Sequence, residues 1–446
     1  IYGRRRIGKT YLVREIFKER FTFCHTGVSK LPAKGQLQAF YNSLADHGHT
    51  PSRIPRNWLE AFQCLSTYIK NRKEKRKVIF LDELPWMDTQ KSDFLPAFEH
   101  FWNGWASARK DILLIVCGSA TSWIIKNIVN NHGGLHNRLS RSIRLKQFTL
   151  SECEKYTTSL QMRMTRPQII EAYMIFGGVP YYWSKLDRRF SLAQNIDRMF
   201  FTHNAIFKNE FNDLYASLFK HPEPYLKIIS VLGKKKVGMT IEEISESTLL
   251  PRNGTLTKYL TDLEACGFIR LYSSYGNRVK GTVFQLIDNF TLFYYRFLSS
   301  KKITDEGYWS KIQTSTIYSN WCGLSFERIC LLHIKQIKQA LSIGGILSNE
   351  FSWRTPPYAD LPGVEIDLLI ERADKVFNLC EMKFTKNPFT IDKKYAAELQ
   401  NKIARLRDVT STRNAIFLTM ISASGLTSNE YANDVQNVLT ADDLFD

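Results

Sequence analysis

The feature that most constrains this chain stands at its start. In IYGRRRIGKT, Gly3, Gly8, Lys9 and Thr10 fit the pattern G-x-x-x-x-G-K-[ST]. Such a loop works only at one place in a fold. A buried strand must lead into it and a helix must lead out, so that backbone N–H groups and the helix dipole converge on phosphate. The pattern therefore demands a parallel α/β sheet. Only Ile1 and Tyr2 precede the loop, so the strand feeding it is expected to be cut short, with ATP bound more weakly than in a chain extended upstream.

The following text supplies the rest of such a sheet. YLVREIFKER has helical spacing, with Leu12, Val13, Ile16 and Phe17 on one face. KVIFLDELPW and DILLIVCGSA each carry an apolar run that ends in acidic or small residues. This is how buried parallel strands read, with functional groups at their carboxyl ends. In VIFLDEL the strand delivers Asp82 to the loop as a Mg²⁺-holding carboxylate and Glu83 as the group that polarises the attacking water. Ser119, at the end of the next strand, is placed to bond the γ-phosphate or that water; a plain strand-end serine is the alternative. Lys9 is expected on the β- and γ-phosphates and Thr10 on Mg²⁺. The nucleotide contacts are assigned to Gly3, Arg4, Arg5, Arg6, Ile7, Gly8, Lys9, Thr10 and Tyr11.

Loop, acid pair and polar strand end, in this order, resemble the AAA+ superfamily. LHNRLSRSIRLKQFTLSE resembles the segment in which such ATPases place an arginine finger; Arg138 matches best and Arg141 second. The alternative is a basic surface. An arginine finger acting in trans implies a homo-oligomer. The segment GGVPYYW lacks the arginine that many AAA+ lids carry, and resembles the archaeal and bacterial branch close to the signal-transducing NTPases.

A chain of 446 residues exceeds one ordinary core, and about two to four domains are expected. The domains are read as 1–150, the ATPase core; 151–220, a helical lid; 221–300, a smaller module; and 301–446, a carboxy-terminal α/β domain. In the smaller module PYLKIISVLG, MTIEEISESTLL and NGTLTKYLTDLEACGFI read as three helices, and RLYSSYG and TVFQLID as a two-stranded wing. This resembles the winged helix-turn-helix, which implies DNA contact through Arg252, Asn253, Lys258, Arg278 and Lys280. The net charge of +18 fits a polyanionic partner such as DNA, and equally a generally basic surface. Winged helices also bind proteins.

In GVEIDLLIERADKVFNLCEMKF, alternation puts Glu365 and Asp367 on one strand face, and Glu381 and Lys383 on one face of the next strand. The pattern resembles the D…E-x-K core of the PD-(D/E)xK nuclease superfamily, with Glu327 upstream as its added acid. The resemblance implies a second Mg²⁺ or Mn²⁺ on Glu327, Asp367 and Glu381, with Glu381 and Lys383 catalytic. Alternating acids and bases on an exposed strand are the other reading. The whole order resembles a family of archaeal and bacterial P-loop ATPases with a winged helix and a nuclease-like carboxy-terminal domain. It implies an α/β multidomain protein: an AAA+-like parallel sheet core with helical lid, a winged helix-turn-helix and a restriction-endonuclease-like α/β domain.

The eight cysteines lie far apart, with no C-x-x-C pair, as in a reduced cytoplasmic protein. No run of about eighteen apolar residues exists, so no membrane span is expected. His25, His47, His49, His100, His132 and His136 show no metal-ligand spacing and read as structural. Three functions compete on this reading: an ATP-regulated nuclease, an ATP-switched DNA-binding regulator with an inert nuclease-like domain, and a signalling NTPase that assembles with proteins.

Overall fold

The computed structural model describes residues 1–18, 20–131, 133–272, 275, 282–299, 307–357 and 362–446. The chain divides into two compact units. One comprises Ile1–Lys146 with Asp213–Pro222, the other Gln147–Asn212 with Glu223–Asp446.

The first unit is built on three parallel strands in the order β1 (Phe23–Thr26), β2 (Lys77–Asp82), β3 (Ile112–Val116). All six residues of β2 are buried, which is why its sequence is apolar from Val78 to Leu81 rather than alternating. Beyond β3 the sheet continues through single bridges. Tyr2 lies parallel to Gly118 on one side and to Arg144 on the other. The Ile1 backbone nitrogen donates to Val116 O (2.8 Å), Tyr2 N to Ile143 O (3.0 Å) and Leu145 N to Tyr2 O (2.8 Å). The residues leading into the loop are thus seated between β3 and the segment at 143–145, inside the sheet and one place from its edge.

An aromatic core packs against one face. Phe40, Trp58, Phe62, Phe94, Phe98 and Phe101 make successive ring contacts of 4.9–6.0 Å. Trp58, Phe62, Leu65 and Ile69 come from one stripe of the helix Trp58–Lys70, which Asn57 caps by accepting from Glu60 N (2.9 Å). In the helix Lys9–Phe17 the buried stripe runs through Lys9 and Val13, and Phe17 is half-buried. Ile16, expected inside, is 59% exposed: the stripe follows every fourth residue from Lys9, which turns Ile16 outward.

In the second unit the helix Arg166–Phe176 is buried from Ile169 onward, with Glu171 partly exposed. The helices Glu223–Leu232, Ile241–Thr248 and Gly254–Ala265 precede an antiparallel pair, β4 (Ile269–Tyr272) and β5 (Val283–Leu286). Arg278 and Lys280 lie outside the described residues, as does His132. A five-stranded mixed sheet follows, with β6 (Ser348–Thr355), β7 (Val364–Arg372), β8 (Val376–Lys383), β9 (Ala415–Ser422) and β10 (Asn437–Thr440) in the spatial order β10-β9-β8-β7-β6. The β7–β8 hairpin is antiparallel and pairs Leu368 with Cys380. Asp367 and Glu381 lie one residue beyond that pair. Among the described residues no helix is long and apolar enough to cross a membrane.

Candidate nucleotide site and carboxylate cluster

The loop Gly3–Thr10 closes on itself through Lys9. The Lys9 side chain is buried, and its Nζ donates to the carbonyls of Gly3 (3.0 Å) and Arg4 (2.9 Å). Gly3 (φ 146°) and Gly8 (φ 88°) hold positive φ, as does Arg6 (φ 72°). Gly3 is also a packing requirement, because a Cβ there would lie 2.3 Å from Leu145 O. Arg4 and Ile7 are buried, Arg5 and Arg6 half-buried, and Tyr11 projects outward with 71% of its surface exposed.

Strand β2 brings its acids to this loop. The Thr10 hydroxyl donates to Asp82 Oδ2 at 2.6 Å, and Asp82 Oδ1 accepts from Glu83 N at 2.9 Å. Burial pushes the Asp82 carboxyl above its usual range, against the opposing pull of the Thr10 bond. Glu83 leaves the strand in a left-handed conformation (φ 48°, ψ 45°), with its carboxylate directed at β3. There Glu83 Oε2 accepts from both the backbone N (3.1 Å) and the hydroxyl (2.8 Å) of Ser119. That hydroxyl, expected on phosphate, on the attacking water or as a plain strand-end serine, is bonded here to Glu83, because the two strand ends are neighbours. Thr10 and Asp82 present hard oxygen donors side by side, in a place where burial disfavours an uncompensated charge. This set fits Mg²⁺. Arg138 and Arg141 are exposed, on the segment after Leu135.

The carboxy-terminal acids assemble differently from expectation. Glu327 Oε2 lies 3.0 Å and Asp367 Oδ2 3.4 Å from the same ammonium, Lys236 Nζ. Glu381 instead takes Lys402 Nζ on one oxygen and the Tyr395 hydroxyl (3.1 Å) on the other. Lys383 stands over the Tyr395 ring, 4.5 Å from its centroid. Burial, reinforced by Asp367 nearby, pushes the Glu327 carboxyl up to about 7. The expected metal set of Glu327, Asp367 and Glu381 is thereby divided between two lysines. Among the described residues no group of three His, Cys, Asp or Glu is placed to hold a metal ion. The residues as they stand do not fit the second Mg²⁺ or Mn²⁺.

Three of the residues expected on DNA, Arg252, Asn253 and Lys258, are also engaged within the chain. Arg252 pairs with Glu242 (2.7 Å) and Lys258 with Asp262 (2.9 Å). Asn253 Oδ1 accepts from Thr255 N and Leu256 N and caps the helix that follows. Sequence reasoning missed Lys236, Tyr395 and Lys402. Lys236 belongs to the run Lys234–Lys235–Lys236, which reads as solvated surface charge, and nothing local distinguishes the third lysine.

A phosphate-type loop seated at the sheet by Tyr2, with a strand-end acid on its threonine, defines a P-loop nucleotide-binding unit. Residues 1–186 match ATPase_2, an ATPase domain predominantly from Archaea, and this part of the chain carries that domain. The chain is 24% identical over 334 residues to the uncharacterized protein MJECL04 of Methanocaldococcus jannaschii, covering 74% of this chain and 70% of that protein. Among solved structures it is similar to the Walker-type ATPase Paby2304 of Pyrococcus abyssi (13% identity, TM-score 0.45, 66% of this chain and 89% of that one). It is also similar to the ORC2 protein of Aeropyrum pernix in ADPNP-ADP complexes (14%, TM-score 0.39, 64% and 82%). A third similar structure is Cdc6p from Pyrobaculum aerophilum (14%, TM-score 0.30, 72% and 88%).

Proposed function

We propose that this chain binds and hydrolyses ATP at the loop Gly3–Thr10 and couples the cycle to a DNA-directed output. The observation that carries the reading is the 2.6 Å bond between Thr10 and Asp82 beside the buried Lys9, which gathers the three groups that ATP hydrolysis requires on a P-loop. Lys9 exchanges its bonds to the Gly3 and Arg4 carbonyls for phosphate oxygens. Thr10 and Asp82 are the residues that would hold Mg²⁺, whose chemistry when bound is to neutralise charge on the β- and γ-phosphates. Glu83 accepts a proton from the attacking water once its carboxylate turns from Ser119. Arg138, exposed on its segment, is the candidate finger toward a second copy of the chain.

DNA contact is assigned to the 221–300 module, read as a winged helix with the helix Gly254–Ala265 in the groove-reading position. The net charge of +18 supports a polyanionic partner. ATP turnover measured at low salt, with and without duplex DNA, tests the proposal. Turnover that rises with DNA and vanishes in Lys9→Ala is expected. DNA-independent turnover would remove the DNA-directed half, and turnover surviving Lys9→Ala would remove the site.

Of the two readings of the 301–446 domain, the pairing of Lys236 with Glu327 and Asp367 favours the inert one, a nuclease-like scaffold that takes part in binding rather than cleavage. Plasmid nicking with Mn²⁺ that is lost in Asp367→Ala would reverse that preference.

A further inference from the structure

Lys236 lies between the helices Glu223–Leu232 and Ile241–Thr248, and its backbone is held from several directions. Its carbonyl oxygen accepts from Gln285 Nε2 (2.7 Å) on β5 and from Arg328 on the helix Thr316–Leu332. The next carbonyl, Val237 O, accepts the Tyr272 hydroxyl from β4. A lysine on a free surface loop has no such grip. With its main chain fixed in this way, the ammonium bridges Glu327 and Asp367, whose side chains are only 15% and 24% exposed.

Two half-buried carboxylates that approach one cation repel each other without it, and in a poorly solvated place the repulsion is strong. Either a divalent ion or an ammonium relieves it. A divalent ion needs about six oxygen ligands at short range, protein and water together, and the two acid oxygens that would start such a shell are the ones Lys236 holds. Glu381 is already bonded by Lys402 and Tyr395, and the buried Arg328 donates to the Lys236 carbonyl. An ammonium has three directed donors and needs no such shell.

We propose that Lys236 is the resident cation of this acid pair. It stands where a divalent metal would otherwise sit, and by doing so ties the 223–298 segment to β7 and the helix Thr316–Leu332. Metal entry then requires withdrawal of the turn that carries Lys236. The proposal is independent of the ATPase reading, since it is tested without nucleotide.

The test is Mn²⁺ binding to the full chain, followed by electron paramagnetic resonance of the free ion. Lys236→Met is expected to gain a Mn²⁺ site at least tenfold tighter than any the unsubstituted chain shows outside the loop. Adding Asp367→Asn should remove that gain. Lys236→Met with unchanged Mn²⁺ binding, or a gain that persists with Asp367→Asn, would overturn the proposal. A second measurement keeps Lys236 in place. Acetylation of its amine, mapped by mass spectrometry, should be slow in the unsubstituted chain and several-fold faster in Asp367→Asn. Equal rates in the two would overturn it as well.

Discussion

Gly3 and Gly8 bracket the loop, and substituting each by alanine separates two physical effects. At Gly8 an added Cβ meets no atom within 4 Å, so only the backbone conformation (φ 88°) is penalised, at about 1–2 kcal/mol. At Gly3 the Cβ would lie 2.3 Å from Leu145 O and 2.7 Å from Ile7 Cδ1. The first of these is backbone and cannot swing aside, because Leu145 and Tyr2 are hydrogen-bonded to each other. Overpacking adds about 1–3 kcal/mol to a conformational strain of about 1–3 kcal/mol, giving about 2–6 kcal/mol for Gly3→Ala. Folded domains have about 5–15 kcal/mol in total, so the larger value threatens the unit. Hydrogen exchange of the peptide spanning Lys77–Asp82 reads the opening free energy of the central strand. The expected result is modestly faster exchange in Gly8→Ala. Gly3→Ala should exceed it by about 2 kcal/mol, which is about 30-fold in rate. Equal acceleration in the two variants, or none in Gly3→Ala, would refute the seating of Tyr2 between Gly118 and Arg144.

Further outcomes follow from the strand ends and from one buried imidazole. Glu83→Gln should keep ATP binding and lower turnover by about 10²–10⁴-fold, whereas Ser119→Ala, which removes one of the two bonds on that carboxylate, should lower it less than about tenfold; if Ser119→Ala is as slow as Glu83→Gln in a phosphate-release assay, Ser119 touches the nucleotide itself. His25 is buried, and its imidazole is depressed to about 4 from 6.5. The unfolded chain takes up a proton below 6.5 while the folded chain does not, so stability is full above 6.5 and lost as pH falls toward 4, at about 1.4 kcal/mol per pH unit. The protection factor of the Phe23–Thr26 peptide, with the intrinsic pH dependence of exchange divided out, should therefore fall between pH 6.5 and 4.5, with a shallower slope in His25→Asn; parallel slopes would exclude His25 as the cause.

Local patterns made part of this fold readable. The loop, the all-apolar β2 and the polar end of β3 are each dictated by residues adjacent in sequence, and Asp82 reaches Thr10 because the strand ends where the motif says it must. What escaped reading depends on rotamers and on distant partners. That Ser119 bonds Glu83, that Asn253 spends its amide on a helix cap, and that Glu381 turns to Lys402 follow from side chains choosing among several polar neighbours within reach. Lys236 was hidden for a related reason: its role is set by Gln285, Tyr272 and Arg328, which are 36–92 positions away. The seat of Tyr2 between two strands was equally invisible, since one of its neighbours is only a short extended segment at 143–145.

Glu83 adopts a left-handed backbone conformation that a side chain bearing a Cβ resists. Glycine would relieve that strain, worth about 1–2 kcal/mol, but would strip the buried Ser119 N–H and hydroxyl of their acceptor, at about 1–3 kcal/mol. Strain relief and lost bonds nearly offset each other, so Glu83→Gly is expected to leave thermal stability little changed while ATP turnover falls. A screen for thermal resistance would therefore be nearly blind to this position, and only an activity screen would register the carboxylate.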